Sequence, residues 1–187
     1  EILIGGVSKG MSIFKDKDSF LANELINAAL PQKLKDINSS LEKIGFGSLV
    51  AKEKNYIADA AAFVAPIAEP ILVNTIHNIT SEDAQKIAQS GSGAATAYLK
   101  EKSGAQLIAA IAPKVDAKLN EFGVVKSINS AMKGNSLLGS LLGNQSANTS
   151  ATASLSNLAT EQMVNGLFGV IENYEKTSPK NPMNILK

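Results

Sequence analysis

The sequence predicts a single all-α domain, and three observations support this prediction. Apolar residues recur every three or four positions through most of the chain, as they do on one face of a helix. Leu34, Ile37, Leu41 and Ile44 are the clearest example. No segment shows the sustained apolar–polar alternation of a half-buried strand. The 187 residues are 44% hydrophobic and 19% charged, which is typical of one globular domain. We therefore expect about six to eight helices, several of them bent by proline, in one domain over residues 1–187.

The N-terminal part of the chain contains one predicted helix on each side of an ambiguous stretch. Residues 2–14 carry apolar side chains at helical spacing, although three glycines lower the helix propensity there. Residues 16–29 fit one or two helical turns or an irregular packed segment. Pro31 suits the first position of the next helix, and Gly45 suits its C-terminal end.

A long helix is predicted over about residues 48–77, and the clearest local signal of the chain follows it. Pro66 and Pro70 lie inside this helix and should kink or break it, because each proline removes a backbone donor. Thr80 and Asp83 have the spacing of a capping box, in which each side chain binds the backbone N–H of the other residue. A new helix is therefore expected to begin at Thr80.

The region after residue 93 is predicted to contain a short helix and then a long one. Residues 94–102 form the short helix, which should end at Ser103 and Gly104. Residues 107–122 form the long helix, with a bend near Pro113.

Residues 134–154 are predicted to be a loop that is mobile in its second half. Residues 144–154 are almost wholly Asn, Gln, Ser, Thr and Ala, which bury too little apolar surface to offset the entropy lost on ordering. The apolar stripe resumes in residues 158–176, which form the last predicted helix.

Four leucines stand out in the first half of this loop: Leu137, Leu138, Leu141 and Leu142. If exposed, they would contact a protein partner, a membrane surface or a lipid-like ligand. The competing interpretation, which the usual burial of leucine favours, is that they pack onto the helices as a turn.

The composition excludes several kinds of chemistry. The chain has no Cys, all 18 of its Lys or Arg residues are Lys, and His77 is its single histidine. A thiol nucleophile, a metal site built on Cys or several His, and an arginine clamp on phosphate are therefore absent. The net charge of +1 disfavours nucleic-acid binding. We expect no metal, no cofactor and no transmembrane segment, because the most apolar stretch still contains charged residues and prolines.

His77 and the acidic pair at residues 82–83 have structural explanations. His77 falls at the end of a predicted helix, where it can interact with the last carbonyl groups. The acidic pair falls in the first turn of the next helix, where negative charge is favourable.

The turn containing Gly91 and Gly93 is the predicted candidate site. Backbone N–H groups at the start of the following helix could bind a phosphate or carboxylate, although the pattern favours an ordinary turn between helices. Asp83, Thr96 and Tyr98 are the side chains that would act there, in ligand binding or in an enzyme of unknown type. Thr96 and Tyr98 fall on different helix faces, so we expect packing instead, with Tyr98 largely buried and its hydroxyl hydrogen-bonded.

Five stretches taken together resemble the bacterial family called domain of unknown function 4197. They are residues 41–47 (LEKIGFG), 79–84 (ITSEDA), 94–99 (AATAYL), 107–115 and 160–168 (TEQMVNGLF). This resemblance implies an all-helical domain of Gram-negative bacteria, usually made with an export signal and without an assigned activity or catalytic residues. Lys100 stands where family members commonly have Arg, and residues 144–154 and the short tail are atypical.

The function expected from these observations is non-enzymatic binding of a protein partner or a small apolar ligand by an exported, periplasmic protein. The argument rests on the absence of a nucleophile–base pair, a metal cluster and a cofactor motif. The chain begins at Glu1 and has no signal-peptide pattern, so any signal peptide is expected to have been removed. The alternative is an enzyme whose site lies near the Gly91 turn.

Overall fold

A computed structural model describes the protein over residues 1–133 and 149–181. Within these ranges the chain is built of α-helices without a strand, as the sequence predicts. The helices are α1 (Ile2–Lys15), α2 (Lys17–Ala22), α3 (Glu24–Ala28), α4 (Gln32–Lys43), α5 (Gly47–His77), α6 (Ser81–Ser90), α7 (Ala94–Glu121), α8 (Val124–Lys133) and α9 (Thr149–Thr177). The ambiguous residues 16–29 thus form two short helices, and Pro31 precedes α4 as its N-cap.

The three longest helices form the centre of the domain. Helix α5 packs against α7, and α7 packs against α9. Helix α1 lies against both α5 and α9, while α2 and α4 cover α5 and α3 covers α9. Buried aliphatic side chains and alanines fill the interior. The alanines of α5 that are buried are Ala58, Ala60, Ala61, Ala65 and Ala68.

Helix α5 is long and apolar enough to cross a membrane, judged by length and composition alone. In this structure it is the central helix of the domain and packs against α1, α2, α4, α7 and α8. A core helix can have the same composition as a spanning helix, and 44% of the apolar stretch of α5 is buried against its neighbours.

The proline and Ser-Gly interruptions expected from the sequence do not break the helices. Pro66 and Pro70 lie on the exposed side of α5, where carbonyl groups that lose their partner can reach water. Ser103 and Gly104 lie inside one continuous helix, α7. The Ser103 hydroxyl is fully buried and donates a hydrogen bond of 2.6 Å to the Leu99 carbonyl oxygen. Since this small polar side chain is satisfied within its own helix, it can occupy the buried stripe of α7.

Part of the predicted loop is helical. Helix α9 begins at Thr149, so residues 149–154 continue the packed helix toward its N-terminus instead of belonging to the loop. The alanines among these residues favour helix extension. The remainder of the predicted loop, with its four leucines, lies outside the described residues, as does the turn predicted near the C-terminus.

Glycines of α1 bring this helix close to α9. Gly6 and Gly10 are buried, and a methyl group on Gly6 would lie 3.0 Å from Cγ2 of Ile171 and 3.3 Å from its Cα. The glycines that lower the helix propensity of residues 2–14 are therefore what allows the two backbones to approach.

Two matched Gly→Ala substitutions should have opposite effects on stability. Gly6→Ala should destabilise the protein by about 1–2 kcal/mol, because the backbone of α9 cannot move away from the new methyl group without repacking. Gly104→Ala should stabilise it by about 0.5–1 kcal/mol, since it raises helix propensity and the new methyl group would meet only Lys100 Cγ at 3.9 Å. Denaturant melts of both variants test this, and a stabilised Gly6→Ala would contradict the close-packing explanation.

The capping box predicted at the start of α6 is confirmed. The Thr80 hydroxyl oxygen accepts a hydrogen bond from the Asp83 N–H at 3.1 Å, and the Asp83 carboxylate accepts one from the Thr80 N–H at 3.2 Å. Thr80 is exposed and Asp83 is half-buried, so the box fixes the start of α6 without contributing to the core.

Thr80→Ala should lower the free energy of unfolding by about 1 kcal/mol, because the Asp83 N–H at the start of α6 loses the hydroxyl oxygen that accepts its hydrogen bond. Thermal or urea unfolding measures this directly, with Thr80→Ser as the control that keeps the hydroxyl. Equal stability of the alanine and serine variants would count against the cap.

Candidate functional site

The N-terminus of α7, predicted as a possible anion site, binds a carboxylate of the same chain. Glu175, from the C-terminal part of α9, is buried and accepts hydrogen bonds from the N–H groups of Gly93, Ala95 and Thr96 at 2.9, 3.2 and 2.8 Å. The Thr96 hydroxyl donates to the same carboxylate at 2.6 Å. The carboxylate thus pairs with backbone N–H groups that lack a partner within α7. Its negative charge is also favourable at the positive end of the helix dipole.

Thr96 is therefore part of the N-terminal cap of α7, in which Glu175 of α9 is the acceptor. Thr96 is buried as part of the α7–α9 contact, and its hydroxyl is engaged by Glu175. An external phosphate or carboxylate would have to displace Glu175 to reach the N–H groups of the turn.

Tyr98 is half-buried, so the prediction that it would be largely buried is wrong. The Thr80 hydroxyl and backbone N–H lower the pKa of Asp83, and the Tyr98 hydroxyl adds to this effect. Conversely, desolvation raises the pKa of Tyr98, and the negative charge of Asp83 raises it further. Tyr98 thus lies beside Asp83 of α6 at the surface.

The predicted side chains do not converge on one cavity. Tyr98 lines a surface cleft of about 520 Å³ between α6, α7 and α9, whereas Asp83 and Thr96 are not among its lining residues. His77 is exposed at the end of α5. The four leucines of residues 137–142 lie outside the described part of the chain.

A different group of residues has the properties of a functional site, and its centre is Glu53. This glutamate lies on α5 and is completely buried. Asn38 on α4 and Gln162 on α9 are also buried, at 5% exposure each. Among residues 1–133 and 149–181, both carboxylate oxygens of Glu53, both amide atoms of Asn38 and Oε1 of Gln162 lack a hydrogen-bond partner. Buried polar atoms without partners are uncommon and costly, so this group requires an explanation.

The environment of Glu53 changes its ionisation. Burial raises its pKa from 4.5 to about 7, whereas the neighbouring Asn38 side chain and the charge of Lys54 act in the opposite direction with smaller effects. No hydrogen bond of ordinary geometry joins Glu53 to Asn38 in the described residues. Glu53 is therefore a carboxyl group that gains or loses its proton near neutral pH.

Glu53 lies at the wall of a cavity of about 300 Å³, here called the Glu53 pocket. Four helices and the link between α3 and α4 contribute to it, and its lining residues are Phe20, Leu21, Asn27, Leu30, Glu53, Lys54, Ile57 and Gln162. Asn27 and Lys54 are exposed and lie at the mouth, whereas Phe20, Ile57 and Glu53 are buried inside. The volume is at the lower end of natural ligand pockets, which measure about 300–1,000 Å³.

The sequence contains one indication of this site: Glu53 and Asn38 occupy positions on helix faces that are otherwise apolar. Glu53 follows Val50 by three residues and precedes Ile57 by four, and both are buried. Asn38 likewise falls between Leu34 and Leu41 on the buried face of α4. A charged or amide residue at an apolar position of a helix predicts a buried polar group, but the pattern does not show that two such positions on different helices meet.

Within residues 1–133 and 149–181, no cluster of three or more Asp, Glu or His side chains is placed to hold a metal ion. The Glu53 pocket is thus lined by one carboxyl group, one lysine, the two amides of Asn27 and Gln162, and an apolar wall.

Comparison with known proteins gives one match. The family model described as "Protein of unknown function (DUF4197)" matches residues 1–185, essentially the whole chain. No curated protein matches, and no solved structure matches. The five stretches that resemble this family are thus part of a match along the full domain, and the chain belongs to the family of proteins of unknown function designated DUF4197.

Proposed function

We propose that this protein binds a small, mainly apolar molecule in the Glu53 pocket, without catalysing a reaction on it. The observation that carries the proposal is the pairing of a partly enclosed cavity with a buried carboxyl group that has no hydrogen-bond partner in the described residues. Ligand pockets typically combine an apolar wall with a few polar groups that orient the ligand.

A purely structural role explains Glu53 poorly. An unpaired buried carboxyl group lowers stability, and an apolar side chain of similar size would pack the same space without that penalty. Groups that lower stability are retained where they serve function, and a pKa near neutrality in a cleft is one sign of this. The polar atoms of Glu53 and Gln162 would find in a ligand the hydrogen bonds that the described residues do not supply.

Binding is favoured over catalysis because, among the described residues that line the pocket, Glu53 is the only acid and no second ionisable group lies beside it inside the cavity. Its other ionisable lining residue is Lys54, which is exposed at the mouth. An enzyme near the Gly91 turn would require Thr96 to leave Glu175, whose carboxylate holds its hydroxyl. A general acid–base mechanism needs groups within hydrogen-bond reach of one substrate atom.

Export to the periplasm is part of this proposal, and it is supported by the export signal usual in the family that the five stretches resemble. Fractionation of the native host with an antibody to the protein tests it. Recovery of the protein in the cytoplasm alone would overturn this part and leave the pocket proposal standing.

The binding proposal is tested with 1-hexanol as a small apolar probe, observed by NMR titration of the amide resonances. We expect saturable shifts at residues around the Glu53 pocket in the wild type. Leu21→Trp, which places a ring at a lining position, should abolish them. Leu25→Trp is the matched control, because Leu25 is partly exposed and does not line the pocket. Absence of saturable shifts in the wild type, or equal shifts in all three proteins, would overturn the proposal.

A further inference from the structure

The residues that line the Glu53 pocket have more unpaired hydrogen-bond acceptors than unpaired amide donors. This difference indicates the chemistry of the ligand, an inference that rests on the proposed function. Three acceptor atoms of the lining residues lack partners in the described part of the chain: Oε1 and Oε2 of Glu53 and Oε1 of Gln162. Both amide donors that line the pocket are already used, and the unpaired Nδ2 of Asn38, which neighbours Glu53, belongs to a residue that does not line the cavity. Nδ2 of Asn27 donates to the Leu21 carbonyl oxygen at 3.0 Å.

The orientation of the Gln162 amide follows from its contact with α3. Nε2 of Gln162 lies 3.4 Å from the carbonyl oxygen of Ile26, a group that can only accept. Reversing the amide would place two acceptors against each other, so Oε1 is the atom left without a partner. Oε1 of Gln162 and the two carboxylate oxygens of Glu53 are thus buried acceptors that lack a partner in the described residues.

We propose that the polar end of the ligand is a primary ammonium group, bound between the Glu53 carboxylate and Oε1 of Gln162. An ammonium group has three N–H donors and no acceptor, which matches the three free acceptor atoms of the pocket. A hydroxyl group supplies one donor and leaves two acceptors unpaired. A carboxylate supplies none and adds a second negative charge beside Glu53.

The apolar wall determines the rest of the ligand. Phe20, Leu21, Leu30 and Ile57 line the cavity, so the group attached to the nitrogen is hydrocarbon. This defines the ligand class as small alkyl or arylalkyl primary amines.

Charge at the mouth does not prevent entry of such a cation. Lys54 is the other ionisable residue lining the pocket, and it is exposed, so water and salt screen its charge. Inside, an alkylammonium ion requires Glu53 in its ionised form. Because burial raises the pKa of Glu53 to about 7, binding below neutral pH must release the Glu53 proton to solvent.

The experiment compares hexylamine, 1-hexanol and hexanoate, which share one hydrocarbon chain and differ in the polar end. Dissociation constants are measured by NMR titration at about pH 8, where Glu53 is mostly ionised. Hexylamine should bind at least about tenfold more tightly than 1-hexanol, and hexanoate should bind most weakly. The affinity for hexylamine should fall by about tenfold per pH unit below pH 7, whereas the affinity for 1-hexanol should change little.

Glu53→Gln distinguishes the ammonium site from a general effect of charge. This variant removes the charge and keeps the shape of the side chain, so the preference for hexylamine over 1-hexanol should fall to within about threefold. The amide spectrum of the variant shows whether it has folded. Glu42→Gln is the matched control, because Glu42 is exposed on α4 and does not line the pocket.

The two proposals fail in different ways. If hexylamine and 1-hexanol both fail to bind the wild type, the proposed function and this inference are both overturned. If both bind with equal affinity, or if hexylamine keeps its preference in Glu53→Gln, the pocket binds ligands but the ammonium assignment is wrong. Tighter binding of 1-hexanol or hexanoate than of hexylamine would also overturn the assignment.

Discussion

Replacing Glu175 by alanine should destabilise the protein by about 3–5 kcal/mol, the cost of removing one partner from a buried, charge-assisted hydrogen-bond group. Its carboxylate accepts from three backbone N–H groups and one hydroxyl at the start of α7. Without it, these donors are left without their acceptor at the contact of α7 with α9. Urea unfolding monitored by circular dichroism measures the loss.

Glu172→Ala is the matched control, because Glu172 lies on the same helix but is half-exposed and pairs with Lys176 on the surface. Exposed ion pairs contribute about 0–1 kcal/mol, so this variant should remain close to the wild type. Glu175→Gln should be intermediate, since it keeps one acceptor oxygen and loses the charge. A Glu175→Ala protein as stable as Glu172→Ala would show that water or a neighbouring group caps α7 instead.

Glu53→Gln should stabilise the protein by about 3 kcal/mol above pH 7 and have little effect near pH 4.5, because each pKa unit corresponds to about 1.4 kcal/mol. The pKa of Glu53 is raised from 4.5 to about 7 by burial. Below pH 4.5 the folded and unfolded states both carry the proton. Between pH 4.5 and 7 the unfolded state ionises while the folded state stays protonated, so the stability of the wild type falls as the pH rises.

Denaturant melts of wild type and Glu53→Gln across this pH range measure the difference. Glu42→Gln should reproduce the wild-type profile, since its carboxyl group is exposed. Parallel profiles for wild type and Glu53→Gln would mean that the Glu53 carboxyl group is solvated or paired. In that case Glu53 is not an unpaired buried carboxyl group, and the binding proposal loses the observation that carries it.

Local patterns predicted most of the helices correctly. The apolar stripe with Gly45 after it predicted α4, and the spacing of Thr80 and Asp83 predicted the start of α6. Both are short-range effects, in which residues three or four apart determine the local backbone. The same reasoning failed at Ser103 and Gly104, where helix-breaking residues lie within a helix that packs on both α5 and α9.

The sequence by itself determined the helix positions, the capping box and the absence of thiol, arginine and histidine-cluster chemistry. Only the tertiary structure decided what each buried polar group meets. Glu175 caps a helix that begins about 80 residues earlier in the chain, and Gly6 lies against the backbone of Ile171 on α9. Glu53 and Gln162 come from separate helices to line one cavity. The physical reason is that helix periodicity is a local property that shows which face of a helix is buried, whereas the partner of that face depends on packing between segments distant in sequence.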